Sequence, residues 1–233
     1  MEPVKENMPT LVQMASALRE VDDESWGKYL FSRDILRDRV TPEQKSEKIA
    51  KSIACGVEYA QRILSETETD SPDRIASFFG LHVAEGDVQM TEKRVLFASF
   101  TPPDEITIMK EPLKKYGGVL AALPPEDSAL LPAESEVRSI LLGHELFHFV
   151  EERHKDEIYT RTEKIRLWKI FGFENNSTIR ALGEIAGMAF TKTLCRIPFS
   201  PSLLDVLLLY SYNENYSREV YRCVTDLFAN QKS

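Results

Sequence analysis

His144, Glu145 and His148 stand in the run Gly143-His144-Glu145-Leu146-Phe147-His148, two imidazoles four positions apart with a carboxylate beside the first. If this segment is helical, about 100° per residue brings both rings onto one face, roughly 6 Å and one turn apart, so that both can reach one ion. Zinc suits such a pair. Imidazole nitrogen binds it at about 2.0–2.1 Å, and a catalytic site takes three protein ligands and leaves the fourth position to water. Glu145 then stands where its carboxylate can take a proton from that water. The competing reading is a pair of core histidines satisfied by hydrogen bonds. With only 4 histidines in 233 residues, their fall into this pattern around a glutamate favours the metal.

Two residues compete for the third ligand position. His154 follows His148 by six residues, the H-E-x-x-H-x-x-x-x-x-H spacing of metzincins. That arrangement turns the chain after the second histidine, normally at a glycine, where this chain has Glu151. On an unbroken helix six residues carry His154 about 9 Å along the axis and about 240° around it, out of reach of a shared ion. It is then a surface histidine near a helix C-terminus. Glu184 is the one acid in the small and apolar run from Ala181 to Phe190. A lone buried carboxylate must be paired or bind a cation, and Arg138 or Arg180 is the rival partner. We expect His144, His148 and Glu184 to form a two-His-one-Glu site, the ligand set of thermolysin-type zinc peptidases, with Glu145 as catalytic base. Tyr159, Tyr210, Tyr212 and His154 are unranked candidates for a second donor to the oxyanion.

The elements that must position these groups follow from periodicity. Val137, Ile140, Leu141, Leu142, Leu146, Phe147, Phe149 and Val150 crowd the metal segment and predict a largely buried helix starting between Pro132 and Ser135. Upstream, 9–21 and the cluster from Trp26 to Leu36 predict two docking helices. Thr41-Pro42-Glu43-Gln44 is a capping box opening a long helix to about Leu64, with Ile49, Ile53, Val57, Ala60 and Leu64 on its core face. Ser71-Pro72-Asp73 caps a short helix ending at Gly80. Leu81-His82-Val83 begins a sheet, and Val95–Phe100 with Ile106–Met109 predict a proline-stiffened hairpin with one free edge. Gly117-Gly118 and Pro124-Pro125 punctuate the approach to the metal helix. Beyond it we expect a helix from Glu157 to Phe171 stopped by Gly172, an N-cap at Asn176-Ser177 opening a helix over Thr178–Arg196, and helices near 202–211 and 216–229. Residues 1–40 are then an N-terminal helical appendage and 41–233 the main domain, together one compact unit.

A net charge of −8 and a pI near 5.2 give no overall field that attracts nucleic acid or an anionic membrane surface, so neither is an expected partner. The apolar run from Leu203 to Tyr210 is too short for a membrane span. Cys55, Cys195 and Cys223 are widely spaced and form no C-x-x-C pair, which predicts reduced, buried thiols, while the stretch from Met1 to Asn7 has no signal-type apolar core, which together with the short apolar run predicts a cytoplasmic protein.

The order of these features resembles the ImmA/IrrE family of zinc metallopeptidase-like regulators of phage elements and radiation response. Asp73 to Leu81 resembles its early helix-Gly element, and Phe97-Ala98-Ser99-Phe100 with Ile106-Thr107-Ile108 resembles its strands. Val137 to His148 resembles its metal helix, and Glu184 with Phe190 resembles its E-x-x-A-x-x-F segment, Gly187 standing at the alanine position. The likeness spans roughly residues 48 to 200. It implies an α+β, zincin-like fold, mainly helical, with a small twisted β-sheet packed on the H-E-x-x-H helix. It also implies a Zn2+-dependent endopeptidase acting on a protein or peptide, such as a transcriptional regulator. The alternative function is a non-catalytic, protein-binding regulatory module on the same fold, for which the acidic composition and the extra N-terminal helices speak.

Overall fold

A computed structural model describes residues 8–87, 96–170 and 173–231. The chain opens with helices α1 (Leu11–Arg19), α2 (Asp23–Ser32), α3 (Pro42–Thr67) and α4 (Pro72–Phe78), followed by strands β1 (His82–Gly86), β2 (Ala98–Thr101) and β3 (Glu105–Met109). Helices α5 (Lys110–Ala122) and α6 (Pro125–Ser128) lead to α7 (Glu134–Arg153), which carries the H-E-x-x-H motif. A one-turn helix α8 (Tyr159–Thr162) and a hairpin of β4 (Ile165–Ile170) and β5 (Phe173–Ser177) separate it from α9 (Arg180–Leu194), α10 (Leu203–Tyr210) and α11 (Glu214–Gln231).

This is an α+β chain, predominantly helical with a small mixed sheet. The sheet order is β1-β3-β2, β1 parallel to β3 and β2 antiparallel to it, with Phe100 opposite Ile106 and Ala98 opposite Ile108. Among the described residues β2 has no strand on its other side. Strands β2 and β3 lie against α7, and Ile106 and Ile108 point into the core shared with Val137, Leu142 and Leu146 of that helix. The side of α7 away from the sheet meets α9, which in turn lies along α3. Gly56 makes the α3–α9 approach feasible: a Cβ there would come within 2.1 Å of the Ala186 carbonyl oxygen. Leu11, Met14, Leu18 and Trp26 of the two N-terminal helices are buried in the same apolar cluster as α7 and α10.

Several local expectations are met for the reasons given. Thr41 Oγ1 accepts from the Gln44 amide while Gln44 Oε1 accepts from the Thr41 amide, the reciprocal box that starts α3. That helix runs to Thr67, past Leu64, and its buried face is broader than Ile49 and Ala60 alone. Ser52, Cys55, Gly56, Tyr59 and Ile63 are buried, while Ile53, Val57 and Leu64 are only partly covered. Ser71 stands at the N-cap of α4 but makes no side-chain cap hydrogen bond. The β2–β3 hairpin forms with a cis Pro102–Pro103 peptide bond in its turn, Val95 lying outside the described residues.

Other expectations are corrected. The segment 157–171 is not one helix: only Tyr159–Thr162 is helical, and Ile165–Ile170 forms β4, paired antiparallel with β5. Ile165 and Leu167 alternate with Arg166 and Trp168, a two-residue period that puts one face on Phe31, Ile49 and Ile179 and leaves Trp168 largely in solvent. Phe171 and Gly172 lie outside the described residues. Asn176 and Ser177 belong to β5 rather than to a helix cap, and Ile179 is the N-cap of α9. Gly117 and Gly118 lie inside α5 and do not interrupt it. Helix α2 stops at Ser32, leaving Ile35 83 % exposed. All three cysteines are free thiols, but only Cys55 is buried, Cys223 being exposed.

Candidate metal centre

Helix α7 buries Val137, Ile140, Leu141, Leu142, Leu146, Phe147 and Val150, and this apolar surround fixes the direction of the two histidines between them. Helix α9 brings Glu184 to the same point. The close approach depends on Gly187, one turn beyond Glu184: a Cβ at that position would stand 2.9 Å from His144 Cε1, 3.1 Å from its Nδ1 and 3.2 Å from Phe147 Cδ1. An alanine there would push against a ring that has little room to retreat.

The ligating atoms of His144, His148 and Glu184 all lie within 4.8 Å of one another. His144 Nε2 and His148 Nε2 are 3.2 Å apart, and His144 Nε2 and Glu184 Oε2 3.3 Å apart. Ligands at about 2.0–2.1 Å from a tetrahedral zinc are separated by about 3.3–3.4 Å, so the donor set fits that ion in kind and these two spacings match, while His148 and Glu184 stand wider apart, beyond 4.0 Å but within 4.8 Å, and would have to draw together on a bound ion. Glu184 faces the cavity rather than packed protein, its side chain 48 % exposed. Arg138, its rival partner, is engaged by Asp73 at 3.0 and 3.1 Å. Helix α7 continues unbroken through Glu151 to Arg153, and His154, at its C-cap, bonds Glu157 at 2.7 Å and lies against the Tyr59 ring, away from the cluster.

The two histidines are held differently. His148 Nδ1 has Glu151 Oε2 at 3.7 Å, and Glu151 is itself buried, accepting from Thr160 Oγ1 at 2.6 Å and paired with Arg161 Nε at 3.3 Å. At 3.7 Å this is an ion-pair distance and not a hydrogen bond, and it puts a carboxylate where an outer group that orients a ligating imidazole would stand. In the sequence Glu151 reads only as a helix former at the place of the metzincin glycine. Its place three residues after His148, on the same helix face, is the signal that would have found it. Among the described residues His144 has no such partner, its Nδ1 being buried without a hydrogen bond, and it lies in contact with α9 and Phe147.

Charges in the cluster act on one another. Burial opposes charge on His144, but the hydrogen bond and charge of Glu184, then Glu145 and Asp205, carry its pKa up to about 9. Desolvation inside the cavity would raise Glu184 as well, yet the hydrogen bond and charge of His144, then the charge of His148, hold it down to about 2. Glu145 is buried and its carboxyl raised by desolvation, against the pull of both histidines and a hydrogen bond from the Phe100 backbone N–H of β2. Burial also lifts Asp205 of α10 to about 6, against Arg33.

The cluster opens into a cavity of about 1120 Å³ that β2 borders on one side and α10 on the other. His144, Glu145, His148 and Glu184 all line it. Of the four candidate oxyanion donors, Tyr212 lines it and Tyr159, Tyr210 and His154 do not. Arg33 and Asp205 line it too; Arg33 carries no signal in the sequence, whereas Asp205 is the one acid in the apolar run from Leu203 to Tyr210, the same kind of signal that singles out Glu184. Comparison with family models, with curated proteins and with solved structures returns no match.

Proposed function

We propose that the chain is a cytoplasmic zinc metalloendopeptidase with a zincin-like arrangement, related in kind to the ImmA/IrrE group, that cleaves a protein or peptide substrate. The observation that carries this reading is the convergence of His144, His148 and Glu184 within 4.8 Å on the wall of a cavity that also holds Glu145. No described helix is long and apolar enough to cross a membrane.

His144, His148 and Glu184 would hold the ion, which when bound supplies Lewis acidity for the scissile carbonyl and for the attacking water. Glu145 takes a proton from that water and passes it to the leaving nitrogen, a role that needs a carboxylate next to the ion and shielded from bulk solvent. The unpaired edge of β2 can take an extended peptide by backbone hydrogen bonds, which sets the scissile bond beside Glu145. Glu151 holds the His148 ring in orientation, and Tyr212 is the candidate to donate to the developing oxyanion.

The test is proteolysis of a peptide mixture by the zinc-loaded full chain beside Glu145→Gln. The variant is expected to keep its zinc and to lose about 10²–10⁴-fold in cleavage rate. Equal rates in the two proteins would remove the mechanism.

A further inference from the structure

Two cations line the cavity among the described residues besides the histidines, and they differ in how their charge is answered. Lys115 is paired with Glu111 at 3.1 Å and lies 3.9 Å over the Tyr212 ring. Arg33, at the C-cap of α2, has no described carboxylate within 4.0 Å of its guanidinium. Its hydrogen bonds go instead to phenols: Nη1 donates to Tyr29 Oη at 2.8 Å, and Nη2 to Tyr216 Oη at 3.2 Å. Tyr29 is buried, and burial pushes its pKa up to about 12, so it stays neutral and cancels none of the charge. Asp205, in the same cavity, feels Arg33 but lies beyond ion-pair distance and retains a raised carboxyl. A cation aimed into a cavity and fixed from two elements, α2 and α11, is preorganised. Little side-chain freedom remains to be lost when an anion arrives, and the planar fork suits a carboxylate.

We propose that Arg33, clamped by Tyr29 and Tyr216, is a specificity-determining residue that receives a carboxylate of the peptide substrate. The inference rests on the metallopeptidase reading and names the substrate class for it: peptides with an Asp or Glu side chain, or a free C-terminal carboxylate, at a fixed distance from the cleaved bond.

The test profiles cleavage of a random synthetic peptide library by the zinc-loaded full chain, wild type beside Arg33→Gln. Wild type is expected to favour Asp or Glu at one position by at least about ten-fold over Asn or Gln. Arg33→Gln should lose that preference while still cutting neutral peptides. Amidating the peptide C-termini separates the two carboxylate sources, because the preference survives amidation if a side chain is read and vanishes if the terminus is. Cleavage with no acidic preference, or a preference kept in Arg33→Gln, would overturn the inference and leave the peptidase reading intact. If wild type cuts nothing, the peptidase reading fails, and fluorescence anisotropy still decides on Arg33. A labelled acidic peptide should bind wild type at least about ten-fold more tightly than Arg33→Gln and more tightly than its Gln counterpart. Equal affinities would refute the role. Tyr216→Phe, which keeps the charge and removes one clamp at an exposed position, is expected to fall between the two.

Discussion

At the scale of single residues, the site rests on a motif and on groups that support it. The pair His144 and His148 was legible because four-residue spacing on a helix is a geometric statement about one face. Glu184 was legible because an acid stands out in an apolar run. The support was harder to see: Glu151 looks like any helix-forming glutamate until Thr160 and Arg161 fold back on it. Replacing Glu151 with Gln should leave the chain folded and weaken zinc binding by about 10–100-fold, read by competition with a chromophoric chelator. Affinity equal to wild type would mean that Glu151 pairs with Thr160 and Arg161 for structural reasons alone. Gly187 shows the reverse dependence, since the ring of His144 occupies the space a side chain would need.

At the scale of elements, what positions Glu184 is the start of α9, and the sequence placed that start wrongly. Asn176-Ser177 has the chemistry of a cap, but β-pairing took both residues. The cap is supplied from far away: Asp34, buried just after α2, accepts from the Ala181 amide at 2.9 Å and from the Leu36 amide at 2.8 Å. A second tie between the same helices joins Lys192 to Asp23 at 2.8 and 3.0 Å. Asp34→Ala strands two amides and removes a negative charge from a helix N-terminus, so it should cost about 1–2 kcal/mol. Urea unfolding measures this, and a change under a few tenths of a kcal/mol would show that water replaces the cap. Long amphipathic helices such as α3, α7 and α11 could be read from the chain because many residues repeat the same period. The segment 157–170 could not: its apolar residues fit a helix as well as a strand over so few positions, and pairing with 173–177 decided between them.

At the scale of the whole molecule, α2, β2, α7, α9 and α10 enclose one cavity with a dense set of acids around it, and a chain of net charge −8 must hold them together. Asp205 carries part of that cost. In metal-free protein its carboxyl titrates near 6 because burial favours the neutral form, so the native chain holds this proton more tightly than the unfolded one. Stability is then highest below the unfolded value of about 4, falls as pH rises through about 6, and is level above. Asp205→Asn, which cannot ionise, is expected to be more stable than wild type at about pH 7.5 by an amount on the order of 1–3 kcal/mol. The gain should shrink at about pH 4.5, both read by urea unfolding in chelator. An equal offset at the two pH values would assign the effect to packing. Whether α7 and α9 together build a zinc site is decided by elemental analysis of the purified full chain after zinc is offered and excess removed. About one zinc per chain is expected in wild type and in His154→Ala, and a large loss in Glu184→Ala. Zinc kept in Glu184→Ala but lost in His154→Ala, or no zinc in wild type, would contradict a site built by these two helices.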